Sequence, residues 1–159
     1  MKSLFSLLSL FVAVTFVTPL YALDTAAQTD MQILLDKVKA DKKLLVAQNM
    51  NLTDSESQAF WPIYDSYQKD LGAINQRTIK LIKSYADAWN SQTLDDTVAK
   101  KLLNEMVAIQ GAEANLPKTY APKLTAALPG MKAARYLQIE SKIRALIRYE
   151  LAANIPLVP

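Results

Sequence analysis

Four stretches of this chain place apolar residues at helical spacing, and each is bounded by residues that start or stop a helix. The first is predicted from Asp30 to Gln48, with Asp30 as N-cap and Met31, Leu34, Leu35, Val38 and Leu45 on one face. Asn49-Met50-Asn51 is read as its end. The second opens at Leu52-Thr53-Asp54-Ser55-Glu56, where Thr53 can cap the helix while Glu56, three residues on, reaches back. It is predicted to continue to Trp89. Its apolar stripe is Phe60, Tyr64, Tyr67, Leu71, Ile74, Thr78, Leu81, Tyr85 and Ala88, whose steps alternate four and three as in a heptad seam. Ile79, Ile82, Ala86 and Trp89 widen that face toward the C-terminal end. Pro62 falls inside the helix, and a kink is expected there.

Asn90-Ser91-Gln92-Thr93 is a predicted turn. The third helix is placed from Leu94 to Leu116, with Asp95 and Asp96 at its positive end and Val98, Leu102, Met106 and Ile109 facing inward. Pro117 and Pro122 interrupt the pattern, so residues 118–127 are expected as a kinked continuation or a separate short helix. Leu128-Pro129-Gly130 is a strong break. The fourth helix is predicted from Met131 to Ala153, with Tyr136, Ile139, Ile143, Leu146 and Ile147 inward. The tail from Ile155 holds two prolines and is not helical. The fold class is therefore all-α: a four-helix bundle or a helical-hairpin cradle, with long kinked helices and short loops. Helix openings at Leu52 and Leu128 align without gaps, Phe60 falling on Tyr136; duplication and chance likeness of two amphipathic starts account for this equally.

The first 22 residues read as an export signal. Lys2 supplies the positive start, an apolar run extends from Leu4 to Val17, and small Ala22 follows Pro19-Leu20-Tyr21. The run is roughly 14 residues, short of the ~20 that a spanning helix needs, so a removed signal is favoured over a permanent membrane anchor. Ala26 and Ala27 are alternative cleavage points. Residues 23–159 are then expected to form one all-helical domain in the periplasm.

Composition narrows the chemistry. The chain has no His and no Cys. It thus lacks the commonest general base, the best nucleophile and the usual zinc ligands, and its stability cannot come from disulfides. Lys and Arg number 18 against 15 Asp and Glu, and loss of Lys2 with the signal lowers the net charge of +3 by one. So mild and interspersed a balance argues against nucleic-acid binding. Asp95 and Asp96 read as helix-start residues, and Glu140 and Glu150 as surface charges paired with Lys142, Arg144 and Arg148. No catalytic group, cofactor or metal site is predicted.

What remains is surface for other proteins. Phe60-Trp61-Pro62-Ile63-Tyr64 with Tyr67 is dense in aromatics, read either as a core packed at the kink or as an apolar face for a partner. Basic residues recur on the second helix at Arg77, Lys80 and Lys83, and on the fourth at Lys132, Arg135, Lys142, Arg144 and Arg148. These are solvated faces or a positive rim around an apolar concavity. The candidate protein-binding set is Trp61, Tyr67, Arg77, Lys80, Arg135 and Arg148.

The opening Leu52-Thr53-Asp54-Ser55-Glu56 resembles the Leu-Thr-x-x-Gln motif of the Spy/CpxP-like periplasmic proteins, with Glu for Gln. That motif usually occurs twice; the second position here reads Leu128-Pro129-Gly130-Met131-Lys132. The chain is also similar to a group of uncharacterised proteobacterial exported proteins. They share the block from Ala59 to Tyr67, the block from Lys132 to Lys142, and the closing Tyr149-Glu150-Leu151-Ala152 and Ile155-Pro156-Leu157. The resemblance implies a dimeric helical cradle that binds unfolded proteins without ATP, or an adaptor reporting envelope stress, with Leu52, Thr53 and Glu56 as motif residues. The absence of His sets this chain apart from the zinc-binding branch. A non-enzymatic, chaperone-like or regulatory protein is expected, with a homodimer possible. A module with one fixed partner, and an enzyme of unrecognised signature, are the alternatives.

Overall fold

The computed structural model describes residues 41–158. Helices occupy residues 41–50 (α1), Asp54–Asn90 (α2), Asp96–Ala127 (α3) and Gly130–Asn154 (α4), with no strand among the described residues. The fold is all-α. The chain divides into two compact units, Met1–Lys43 and Leu44–Pro159. Of the first, residues 41–43 are described, and they are helical. The predicted signal, the Asp30 cap and the apolar positions Met31 to Val38 lie outside the described residues.

The unit from Leu44 is a bundle. α1 runs one turn's fraction further than expected: Met50 is helical and fully buried, and the stop falls on Asn51, whose φ of 47° is left-handed. Asn tolerates that conformation better than most residues. The inward positions of α1 are Val46 and Met50, whereas Leu45 is exposed.

α2 opens as predicted. Thr53 Oγ1 accepts from the Glu56 N–H at 3.3 Å, and Glu56 Oε2 accepts from the Thr53 N–H at 2.7 Å, completing a capping box. α2 passes through Pro62 as one helix. Phe60, Tyr64, Tyr67, Leu71, Ile74 and Ala88 are buried and Thr78, Leu81 and Tyr85 half-buried, so the heptad seam is the core face most fully in its first half; Ile79 and Trp89, expected to widen it, are exposed. It closes at Ser91 with the Gln92 N–H donating to the Trp89 carbonyl and the Thr93 N–H to the Ala88 carbonyl. That pair of bonds is a Schellman ending, with Gln92 at φ 57° where glycine is usual.

α3 begins two residues later than the predicted Leu94. Asp95 is its N-cap, Oδ1 accepting from the Val98 N–H at 2.8 Å, and Asp96 sits in the first turn. Of the two expectations for residues 118–127, the continuation holds: α3 is a single helix through both Pro117 and Pro122. A proline deprives the carbonyl four residues back of its donor. For Pro117 that carbonyl belongs to Glu113, and Arg144 Nη1 of α4 donates to it at 3.2 Å. Tertiary packing thus supplies the bond that the helix lacks. Met106, expected inside, is exposed; Leu116 at the predicted end, and Tyr120 and Leu124 beyond it, are buried.

α2 and α3 run antiparallel, as the Arg77–Glu105 and Asp70–Tyr120 pairs require. α4 returns parallel to α2, meeting it in order at Glu56–Lys132, Phe60–Tyr136 and Gln68–Glu140. The α2 and α4 backbones come nowhere within 8 Å between Cα atoms, so large side chains span the gap. Ala133, Tyr136 and Glu140 are the buried residues of α4. Leu146 and Ile147, predicted inward, are exposed.

Candidate functional site

Three places hold the residues singled out above. The first is the aromatic junction between α2, α3 and α4. Tyr136 stands edge-on to Phe60 at 5.1 Å and to Tyr67 at 5.6 Å between ring centroids, and Tyr67 meets Tyr120 at 5.2 Å. Edge-to-face rings add to the stabilisation that burial alone gives. Gln68 Nε2 donates to Tyr136 Oη at 3.1 Å and to Glu140 Oε1 at 2.8 Å. Tyr120 Oη donates to Asp70 Oδ2 at 2.6 Å.

Glu140 is completely buried, which corrects the surface ion-pair reading of the sequence. Its place on the inner stripe, four residues after Tyr136, was the signal that could have found it. Burial pushes the Tyr67 hydroxyl up to about 12, Arg144 opposing and Glu140 adding. Tyr64 rises to about 12 through burial, then Glu140 and Asp65. Tyr120 also rises to about 12, through burial and its bond to Asp70. Tyr136 is pushed further up, first by burial and then by Glu140. Tyr67 belongs wholly to this core, so it offers a partner no surface; its hydroxyl is buried with no hydrogen-bond partner among the described residues. Trp61 is half-buried, edge-on to Phe60 at 5.0 Å and to Tyr64 at 5.3 Å.

The second place joins the start of α4 to the motif residues. Lys132 Nζ donates to Glu56 Oε2 at 2.5 Å and to the Asn51 carbonyl at 2.8 Å. Arg135 Nη1 donates to the Asn49 carbonyl at 3.3 Å. Both cations thereby satisfy carbonyls at the end of α1, where a helix leaves acceptors without partners and its dipole is negative. The Lys132 ammonium and the Thr53 N–H hold the Glu56 carboxyl below its ordinary range. Thr53 and Glu56 therefore act as helix cap and inter-helix tie, and Leu52 packs against the core. Arg135 is exposed and bonds the end of α1, and Arg148 pairs with the Glu113 carboxylate.

The third place is a groove of about 320 Å³ between α2 and α3. Leu81, Val98 and Leu102 form its apolar lining, with Arg77, Lys80, Ser84, Lys101 and Glu105 around them. Arg77 grips Glu105 through two bonds, Nε to Oε1 at 2.8 Å and Nη2 to Oε2 at 3.1 Å. That contact raises the guanidinium and lowers the carboxyl from their ordinary values. Of the six candidate binding residues, Arg77 and Lys80 share this groove, and Trp61 and Tyr67 belong to the aromatic junction.

No group of acidic side chains among the described residues is arranged to hold a metal ion. None of their helices is long and apolar enough to cross a membrane. No protein-family model, curated protein or solved structure matches the chain.

Proposed function

We propose that this chain is a non-enzymatic periplasmic protein that binds other proteins, chaperone-like or reporting envelope stress, on an apolar and basic helical surface. The observation that carries the reading is exposed apolar bulk at adjacent helical positions. On α4, Leu146 is 65% and Tyr149 71% exposed, three residues apart, with Ile147 beside them. On α3, Leu103 and Val107, four residues apart, are 52% and 56% exposed. Scattered apolar residues are ordinary on a surface, but neighbours one helical turn apart make continuous patches that suit partners. Arg144 and Arg148 stand among the α4 residues, as an apolar-and-basic surface requires. The leader-like residues 1–22 support the periplasmic assignment, and the capping box at Thr53 and Glu56 is compatible with the family motif.

The test is suppression of aggregation of an unrelated unfolded protein by the chain from residue 23 onward. The wild type should hold the substrate in solution. Leu146→Ser with Tyr149→Ser should weaken holding, while stability moves by no more than about 0.5 kcal/mol, as for exposed positions generally. A wild type that leaves aggregation unchanged at molar excess overturns the chaperone-like reading.

A further inference from the structure

The α2–α3 groove has a charge pattern that the exposed patches lack. Arg77, Lys80, Leu81 and Ser84 on one wall, and Val98, Lys101, Leu102 and Glu105 on the other, each recur at the spacing of a single helix face. The groove therefore covers two helical turns, about 10 Å of each wall. Leu81, Val98 and Leu102 make it apolar along the middle, and each wall contributes one exposed lysine, Lys80 or Lys101. Neither lysine has an acidic partner among the described residues. The remaining pair, Arg77 and Glu105, neutralise each other. The net field over an apolar slot is thus positive, from both sides.

We propose that this groove is a docking site for an acidic amphipathic helix, with apolar residues at i, i+3 or i+4, and i+7 flanked by Glu or Asp. The inference rests on the protein-binding reading and supplies its partner chemistry. The occupant is a helix because the walls are themselves helices, whose backbone donors and acceptors are satisfied internally. They have no main-chain groups to offer an extended strand, whereas a helix satisfies its own backbone and needs only side-chain contacts. The occupant is acidic because Lys80 and Lys101 lie on either side of the apolar strip. It is not a second copy of this groove, since a two-fold contact would press lysine against lysine.

The probe is a dye-labelled synthetic peptide of about 15 residues, leucines at that spacing and glutamates flanking, with a second version carrying lysine for every glutamate. Fluorescence anisotropy against the wild-type chain should show the glutamate peptide binding at least 10-fold more tightly than the lysine peptide, the gap narrowing in high salt. Lys80→Glu with Lys101→Glu, both exposed and distant from the buried junction, should reverse the preference. Equal binding of both peptides, or a reversed-charge variant that keeps the wild-type preference, overturns the groove. The aggregation assay on the same variant separates the two readings. Peptide preference lost with holding retained supports the groove as a distinct site. Preference present in a wild type that holds no unfolded protein supports the groove while removing the chaperone-like reading. A wild type that binds neither peptide yet holds unfolded protein removes the groove alone.

Discussion

Tyr67→Phe should make this protein more stable. The ring of Tyr67 is fully buried and stands edge-on to Tyr120 and Tyr136, contacts that phenylalanine preserves. The hydroxyl is the part with no return: it is buried without a partner among the described residues. Taking a donor out of water and leaving it unbonded costs about 1–3 kcal/mol. Deleting it recovers part of that, because phenylalanine also leaves a small void where the oxygen was. A net gain of about 1 kcal/mol is expected, or about 4 °C in the melting temperature of a domain of this size. Tyr120→Phe is the matched control. Its hydroxyl donates to Asp70 at 2.6 Å, so the same chemical change should cost about 1.5–3 kcal/mol. Urea unfolding followed by far-UV circular dichroism measures both, provided the slope with denaturant stays constant across the set. Tyr67→Phe losing 1 kcal/mol or more with an unchanged slope refutes the account, since the hydroxyl would then have to make a bond in the folded protein.

Three further outcomes are expected. Thr53→Ala should lose about 1 kcal/mol by removing the acceptor of the Glu56 N–H, and Thr53→Asp much less, again by urea unfolding; equal losses would show that the cap is not what holds α2 open at that end. Gln92→Gly should gain several tenths of a kcal/mol, because glycine adopts the left-handed conformation at the Schellman ending without the strain a side chain brings; a loss would mean that the Gln92 side chain contributes elsewhere. Stability should fall on the alkaline side. The folded state raises Tyr64, Tyr67 and Tyr120 to about 12, so their contribution is complete below the unfolded value near 10 and disappears as pH rises through 12. Unfolding across that window, alongside tyrosinate absorbance, should show tyrosine ionising together with the loss of structure rather than before it.

Helical content and the α2 seam were legible because both follow from periodicity. Phe60, Tyr64, Tyr67, Leu71 and Ile74 recur as a heptad requires, and all five are buried. The Thr53–Glu56 box was legible because capping is local chemistry. What failed was whatever one helix decides for another. Pro117 leaves continuation or break undecided from its own helix, and it is Arg144 of α4 that supplies the missing bond. Glu140 reads as a surface charge until Gln68 is seen opposite it. Leu146 and Ile147 extend the α4 stripe in sequence, yet the packing that buries Tyr136 does not continue to them. Of the candidate binding residues, Arg77 and Lys80 could be grouped from spacing on one helix. Lys101, on the opposite wall of the same groove, could not, because its relation to them depends on how α2 and α3 are paired.

The gap between the α2 and α4 backbones also orders the route by which the bundle assembles. α2 and α3 form a hairpin closed by a short turn, whose contacts accumulate progressively from nearby positions. Every tie from α4 to α2 instead joins residues about 70 or more apart in sequence and runs through side-chain tips. Closing such long loops is slow and is rewarded only once those tips are in register. The α2–α3 hairpin is therefore expected to form before α4 completes its contacts with α2, and α4 to leave before α2 and α3 separate. The α4 amide protons should exchange with solvent faster than those of the buried halves of α2 and α3. When it departs it uncovers Phe60, Tyr64 and Tyr67 together, turning the most deeply packed part of the molecule into its stickiest transient surface.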